Sequence, residues 1–428
     1  MATNKDLLNR RTNAVPRGVA TSTPVFADRA ENAEIWDVEG KRYVDFAGGI
    51  AVLNVGHRHP KVMDAVKKQL DRFTHTAFQV SAYEPYIELA EKLNARAPFS
   101  GDAKTIFFTT GGEATENAVK IARAATGRNG VIAFCGGFHG RTLLASALTG
   151  KVLPYKAPFG TLPGEVYHIP FPDGHDITVE DSLKMLNFLF AADISPNNVA
   201  AIIIEPVQGE GGFRVAPTAL LKHLRAICDQ HGIKLIADEV QSGFARTGKL
   251  FGIEHSGVEP DLVCIAKSLA GGFPLSGVIG RAELMDSVPP GGLGGTYAGA
   301  PLGCAAGLAV LDIIEEEKLL DRANSMGERL KARIAGWHKR TDMLPVSMPR
   351  GLGAMVAFDI LERHEGVEQR KGFGSKLCAR ACEKGLILLA CGVQGATIRI
   401  LTPLTASDEL VDEGLDIIEQ ILLEEAKA

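Results

Sequence analysis

IKLIADEVQSGFARTGKLFGIEHSGVEPDLVCIAKS, residues Ile233–Ser268, holds two apolar runs, each of which delivers one charged residue at its end: Asp238 after the first and Lys267 after the second. Both runs are continuous rather than alternating, the pattern of strands buried on both faces of a sheet with crossover helices. The separation of 29 residues between Asp238 and Lys267 leaves room for a connection between two strands of one sheet. In an open α/β sheet, ligands bind outside the carboxyl ends of the strands, where these two residues would stand. An acid and a lysine placed there suit pyridoxal phosphate (PLP). The lysine would form the Schiff base, and the acid would keep the pyridine nitrogen protonated so that the ring draws electrons. Read singly, Asp238 could cap a turn and Lys267 could be a solvated charge at a strand end.

The flanking chain repeats the alternation. Thr105–Thr109 reads as a strand, Glu113–Ala125 as a helix, Val131–Phe134 and Val199–Ile204 as strands, and Pro217–Gln230 as a helix. Before them, residues 34–46 alternate around Glu39-Gly40 as a hairpin, and helices are expected from Pro60 and across Tyr83–Ala95. After Pro301 the texture changes to long charged helices over 302–338, a segment RGLGAMVAFDI, a helix near 375–384, strands at GLILLA and TIRIL, and an amphipathic helix over Ser407–Ala426. The expected fold class is therefore α/β: a large domain with a mainly parallel central sheet over 61–310, and a smaller α+β domain over 311–428 joined by the N-terminal segment 1–60.

A chain of 428 residues is too long for one ordinary core, which agrees with that division. Hydrophobic residues at 46% and charged residues at 23% are the balance of a soluble globular protein, and a net charge of −5 gives no reason to expect nucleic acid or an anionic membrane as a partner. Seven scattered cysteines without a CxxC point to reduced thiols and a cytoplasmic location. Arg10-Arg11 lacks a following apolar segment, so no export signal is expected. The uncharged stretch Ser287–Leu311 is Gly- and Pro-rich in its first half and reads as a loop before a small-residue helix, not a membrane span.

Three further motifs fall at strand ends. Thr109-Thr-Gly-Gly-Glu-Ala sits between a strand and a helix, where bare glycine amides at a helix N-terminus make either an anion site or a flexible turn. It is not a Walker loop, and no dinucleotide glycine fingerprint occurs elsewhere, which argues against ATP or NAD. Gly136-Gly-Phe-His-Gly-Arg-Thr offers Phe138 for stacking on a flat ring, His139 as a hydrogen-bonder, and Arg141 to hold a carboxylate by its fork of donors. Glu205-Pro-Val-Gln-Gly-Glu places Glu205 and Glu210 near the same edge, as functional acids or as caps. His57 and His59 flank Arg58 with no carboxylate or cysteine at ligand spacing, so no metal is expected.

Together, TTGGEATENAVKIAR, GGFHGRT, EPVQGEGG, LIADEVQSGFARTG, CIAKSLAGGFPL and GGLGGTYAGAP resemble, in order, the subgroup III (ω-) aminotransferases of PLP fold type I, the aspartate aminotransferase-like fold. FAGGIAVLNVGHRHP and IRILTPLT extend the likeness to nearly the whole chain. The resemblance implies that Lys267 holds the cofactor and then moves the substrate proton, while Asp238 pairs with the ring nitrogen. It puts Gln241 near the ring hydroxyl, Val240 and Phe138 on the two ring faces, His139 and Glu205 among the cofactor-binding residues, and the Gly111 and Gly112 amides on the phosphate. Thr296 would reach the phosphate of a neighbouring subunit, which makes a homodimer the minimum unit and leaves a tetramer open. Arg141 would hold the substrate's far carboxylate and Arg399 the α-carboxylate of glutamate or 2-oxoglutarate, with Glu210 pairing Arg399 otherwise and Ile50 lining the pocket.

Two positions depart from the family pattern: Gly112, where serine is usual, and Phe138, where close relatives often carry tyrosine. The implied activity is ping-pong transfer of the terminal amine of 4-aminobutyrate to 2-oxoglutarate, giving succinate semialdehyde and glutamate. A donor such as 5-aminovalerate or acetylornithine is the enzymatic alternative. A PLP-free structural relative is the alternative of a different class, and the intact Asp238 and Lys267 speak against it.

Overall fold

A computed structural model describes residues 2–427. Its centre is a seven-stranded sheet: β1 Ala103–Phe108, β2 Gly130–Phe134, β3 Val166–Ile169, β4 Val199–Ile204, β5 Lys234–Asp238, β6 Leu262–Ile265 and β7 Ser276–Arg281. The strands lie in the order β1-β7-β6-β5-β4-β2-β3. Pairings from β6 through β3 are parallel, and β7 runs antiparallel to both its neighbours. All six residues of β4 are buried, as its unbroken apolar run requires. The crossover helix Thr218–His231 turns Leu220, Leu221, Leu224 and Cys228 onto the sheet and stops at Gly232 in the left-handed region. Helix Gly111–Thr126 covers the other face with Ala114, Ala118, Val119 and Ala122.

Two strands of this sheet carry no clear sequence signal. β3, Val-Tyr-His-Ile, is a short, half-buried edge strand. β7 contains Gly277 and Gly280, which read as turn residues in isolation. A β-carbon at Gly277 would lie 2.6 Å from the Ile106 carbonyl oxygen, and one at Gly280 would lie 2.5 Å from Leu262 Cδ2. The glycines therefore let β7 pack between β1 and β6.

Outside the sheet the two chain ends interleave. Hairpin strands Glu34–Asp37 and Arg42–Asp45 form as expected, joined on one side by Ala27–Glu31, while Arg42–Asp45 pairs in parallel with Leu386–Ile387. A second antiparallel sheet orders Arg350–Leu352, Met355–Asp359, Thr397–Ile400 and Leu389–Cys391. Helices Leu319–His338 and Asp408–Glu425 pack on this part, and Trp337 fills its core against Phe358. Helix Pro301–Glu316 runs straight through residue 310 and packs against helices Pro60–Arg72 and Glu84–Asn94.

Candidate active site

The carboxyl ends of β1, β2, β4, β5 and β6 face one edge, and each delivers a candidate residue there. After β1, Thr110 caps the helix that begins at Gly111. The Glu113 amide donates to Thr110 Oγ1 at 3.4 Å and the Thr110 amide to Glu113 Oε2 at 2.7 Å, the reciprocal bonds of a capping box. That cap fixes the amides of Gly111 and Gly112 at the positive end of the helix. Gly111 sits close to Val240, whose Cγ1 would be 3.0 Å from an added β-carbon, whereas the nearest atom at Gly112 would be 3.6 Å away.

β5 ends in Asp238, which is 3% exposed. Its Oδ2 lies 2.7 Å from His139 Nδ1, and its Oδ1 accepts from the Val240 amide at 3.1 Å. His139, from the loop after β2, is in turn pinned by Thr149, which accepts from its amide, and by Thr115, which donates to its carbonyl. Burial alone would lower the His139 pKa. The Asp238 bond and charge, with Glu205 behind, more than offset this and leave it raised. Glu205 accepts from the Phe138 amide at 2.9 Å and the Gly209 amide at 3.0 Å, so it braces two loops of the site. Burial pushes its pKa up to about 7.

Lys267 follows β6 with φ of 49°, a left-handed conformation that a lysine adopts only where its surroundings impose it, at a cost of ~1–3 kcal/mol. Desolvation first, and the nearby Arg399 cation second, lower its pKa to about 8. The neighbouring Ser268 hydroxyl donates to the Ala51 carbonyl at 2.7 Å, tying this turn to the segment that carries Ile50. Ile50 itself is 46% exposed, with φ of 64°. The chain passes this point only because Gly48 lacks a β-carbon, which would stand 2.4 Å from the Leu401 carbonyl oxygen.

Arg399 and Glu210 meet although 189 residues separate them, with Nη1 2.5 Å from Oε1 and side chains 6% and 19% exposed. Burial opposes the Arg399 charge, yet Cys391 and Glu210 outweigh it and raise its pKa; burial likewise opposes the Glu210 charge, and Arg399 holds the carboxyl below its usual value. Arg141 is exposed and lies over the Tyr155 ring, 4.8 Å from the centroid. Tyr155 also packs against Phe138 at 5.0 Å. Thr296 stands exposed in the loop before helix Pro301–Glu316 and shares no hydrogen bond with the other candidates among the described residues. Sequence reading passed over Tyr155, Thr149 and Thr115, which act through contacts in irregular chain or inside a helix. It also passed over the His57–Asp45 bond of 2.8 Å, which closes within the N-terminal segment.

The donor set suits a phosphorylated pyridine. A buried acid backed by an imidazole can hold a cationic ring nitrogen, glycine amides at a helix start can hold a dianion, and a desolvated lysine can act as nucleophile and base. Gln241 Oε1 is buried without a partner and therefore has an acceptor to offer.

The class-III aminotransferase family profile matches residues 15–422. The chain is a class-III aminotransferase. It is 56% identical over 423 residues to a 5-aminovalerate aminotransferase of Pseudomonas putida, covering 99% of each chain. It is 54% identical over 429 residues to a 4-aminobutyrate aminotransferase of Escherichia coli, covering 100% of each. Among solved structures it is similar to a PLP-bound amine transaminase from an uncultivated Pseudomonas species, at 28% identity over 96% of each chain, with a TM-score of 0.86. Aminotransferases of this class depend on PLP, and so does this one. No helix among the described residues is long and apolar enough to cross a membrane, and no cluster among them could hold a metal ion.

Proposed function

We propose that this aminotransferase moves the terminal amine of 4-aminobutyrate to 2-oxoglutarate, giving succinate semialdehyde and glutamate in two half-reactions. The observation that carries this reading is the buried Glu210–Arg399 pair beside Lys267. One pocket must serve a donor with a single carboxylate and an acceptor with two. Arg141 holds the carboxylate that both possess, by the fork geometry suited to it. Arg399 takes the second carboxylate of glutamate or 2-oxoglutarate, and Glu210 neutralises it when the substrate has none. Ile50 presents an apolar surface to the methylenes between.

PLP, when bound, supplies the electron sink that lets the amine-bearing carbon lose a proton. Lys267 holds it and carries that proton, which a pKa near 8 permits at neutral pH. Asp238, with His139 and Glu205 behind it, favours the charged ring nitrogen. Phe138 and Val240 would flank the ring, Gln241 would accept from its hydroxyl, and Gly111, Gly112 and Thr296 of the partner subunit would hold the phosphate. The working unit in this reading is a homodimer. The seven free cysteines support a reducing, cytoplasmic location in this reading.

A second reading, with 5-aminovalerate as donor, is favoured by the name of the relative at 56% identity. One methylene changes discrimination by only ~1–3 kcal/mol. A panel of ω-amino acids of increasing length plus acetylornithine, with 2-oxoglutarate as acceptor, tests both. The highest kcat/KM is expected with 4-aminobutyrate. A maximum at 5-aminovalerate would install the second reading, and turnover with none of the ω-amino acids would overturn both.

A further inference from the structure

Arg246 is 0% exposed and belongs, with Trp337, to the largest fully buried side chains of the protein. It forms no ion pair among the described residues, and burial, unopposed by any anion, lowers its pKa to about 9. A guanidinium kept in such a place must be satisfied by neutral acceptors, and here they come from two distant segments. Nε and Nη2 both donate to Asn54 Oδ1, Nε at 3.0 Å, and Nη1 donates to the Thr402 carbonyl at 2.8 Å. Asn54 answers by donating from Nδ2 to the Phe244 carbonyl at 2.6 Å. The Arg246 carbonyl accepts from the Ala354 amide at 3.1 Å, in the turn before strand Met355–Asp359.

Each segment so joined carries a residue of the pocket. Asn54 follows Ile50 by four positions, Thr402 follows Arg399 by three, and Arg246 lies in the loop that begins with Asp238, Val240 and Gln241. The loop is held in an unfavourable shape to do this: Phe244 and Ala245 have φ of 57° and 76°, and both are buried. Such backbone persists only where the surroundings over-determine it. Direct backbone bonds run alongside, from the Leu401 amide to the Phe46 carbonyl and from the Leu404 amide to the Asn54 carbonyl, both at 2.8 Å. These fix the N- and C-terminal segments to each other. The Arg246 fork then fixes that pair to the loop following β5.

We propose that Arg246 is a positioning residue that sets where Arg399 stands relative to Asp238 and Lys267, by joining the loop after β5 to Asn54 and Thr402. A lysine cannot replace it, because one ammonium cannot span the Asn54 amide oxygen and the Thr402 carbonyl with planar, fixed donors. The inference rests on the proposed role of Arg399 toward the α-carboxylate, so the test separates the two.

Arg246→Lys, Asn54→Leu and Arg399→Lys holoenzymes are compared in KM and kcat for 2-oxoglutarate. Calorimetric titration with glutarate, a dicarboxylate that cannot react, gives a second readout independent of turnover. Arg246→Lys is expected to raise the 2-oxoglutarate KM and the glutarate Kd about tenfold, with kcat kept within about threefold, as a displaced rather than missing partner does. Asn54→Leu removes the acceptor from the other side and is expected to give the same split, which covers the case of an arginine variant that fails to fold. A lowered melting temperature with unchanged KM and Kd in both variants, while Arg399→Lys weakens the dicarboxylates, would overturn the inference and leave the pocket reading standing. Dicarboxylate affinity untouched by Arg399→Lys would overturn the pocket reading and this inference with it.

Discussion

Replacing Glu210 by alanine separates a switch from a brace. In the resting site the Glu210 carboxylate lies 2.5 Å from Arg399 Nη1, and the two side chains are 19% and 6% exposed. Arginine does not give up its charge, so the variant leaves a buried cation that has lost its carboxylate partner. In the open site, water can solvate that cation. 4-Aminobutyrate in the pocket would bring no second carboxylate and would displace water, so the unpaired charge would be felt in full. Breaking a buried pair by removing one partner costs ~3–5 kcal/mol. The partial exposure of Glu210 puts this case at the lower end, and ~3 kcal/mol is about two orders of magnitude in rate. Glutamate brings the missing carboxylate itself, and in the proposed switch it first displaces Glu210. The variant spares it that step. Single-turnover absorbance traces of Glu210→Ala are therefore expected to show kcat/KM for 4-aminobutyrate falling about a hundredfold. The glutamate half-reaction should change little or accelerate. Equal losses in the two half-reactions would refute the switch and leave a bridge that only steadies the loop after Val207.

Asp238→Asn should differ in kind: it slows both half-reactions alike, because the charge it holds serves each, and it lets the His139 pKa fall now that burial is no longer outweighed. Histidine NMR that finds the His139 pKa unchanged in the variant would contradict the coupling. Gly112→Ser is expected to slow PLP loss on dialysis severalfold, since an added β-carbon meets nothing closer than Thr142 Oγ1 at 3.6 Å and the hydroxyl adds a donor worth ~0.5–1.5 kcal/mol. Faster loss would show that the space is not free. The rate at which apoenzyme captures PLP should rise with pH and level off above about 8, because only the neutral Lys267 amine attacks and its pKa is lowered to that value. A profile still rising toward 10 would mean that Lys267 keeps an ordinary lysine environment.

What the sequence made legible follows a physical rule. A residue at the end of a buried parallel strand is announced by the apolar run before it, and Asp238, Glu205 and Lys267 are all of this kind. Gly111 is announced by the helix it opens and the Thr110–Glu113 box behind it. The strands that escaped notice have the opposite character: β3 is a half-buried edge, and β7 owes its fit to glycines that normally signal turns. Helix Asn4–Ala14 buries nothing, so no periodic apolar face marks it, although the Thr3–Asp6 capping box was there to be read. Contacts between distant segments leave no trace in local pattern at all. Asn54 and Arg246 lie 192 residues apart and Arg246 and Thr402 156 apart, each inside a quoted motif whose partner nothing in the sequence names.

The same distinction bears on the choice of donor in the proposed reading. Residues that serve the common chemistry sit on the sheet edge, where strand ends fix them within one packed layer. The residues proposed to contact the substrate come from more scattered chain: Ile50 on a left-handed turn near the N-terminus, Glu210 after β4, Arg399 in the second sheet, and Arg141 in irregular chain, over Tyr155. In the proposed reading the span between Lys267 and Arg141 matches the donor's length, and the loop after β2 carries its Arg141 end. On the proposed role of Arg141, donor preference follows the chain from Gly136 to Tyr155, in which Phe138, Tyr155 and Arg141 lean on one another.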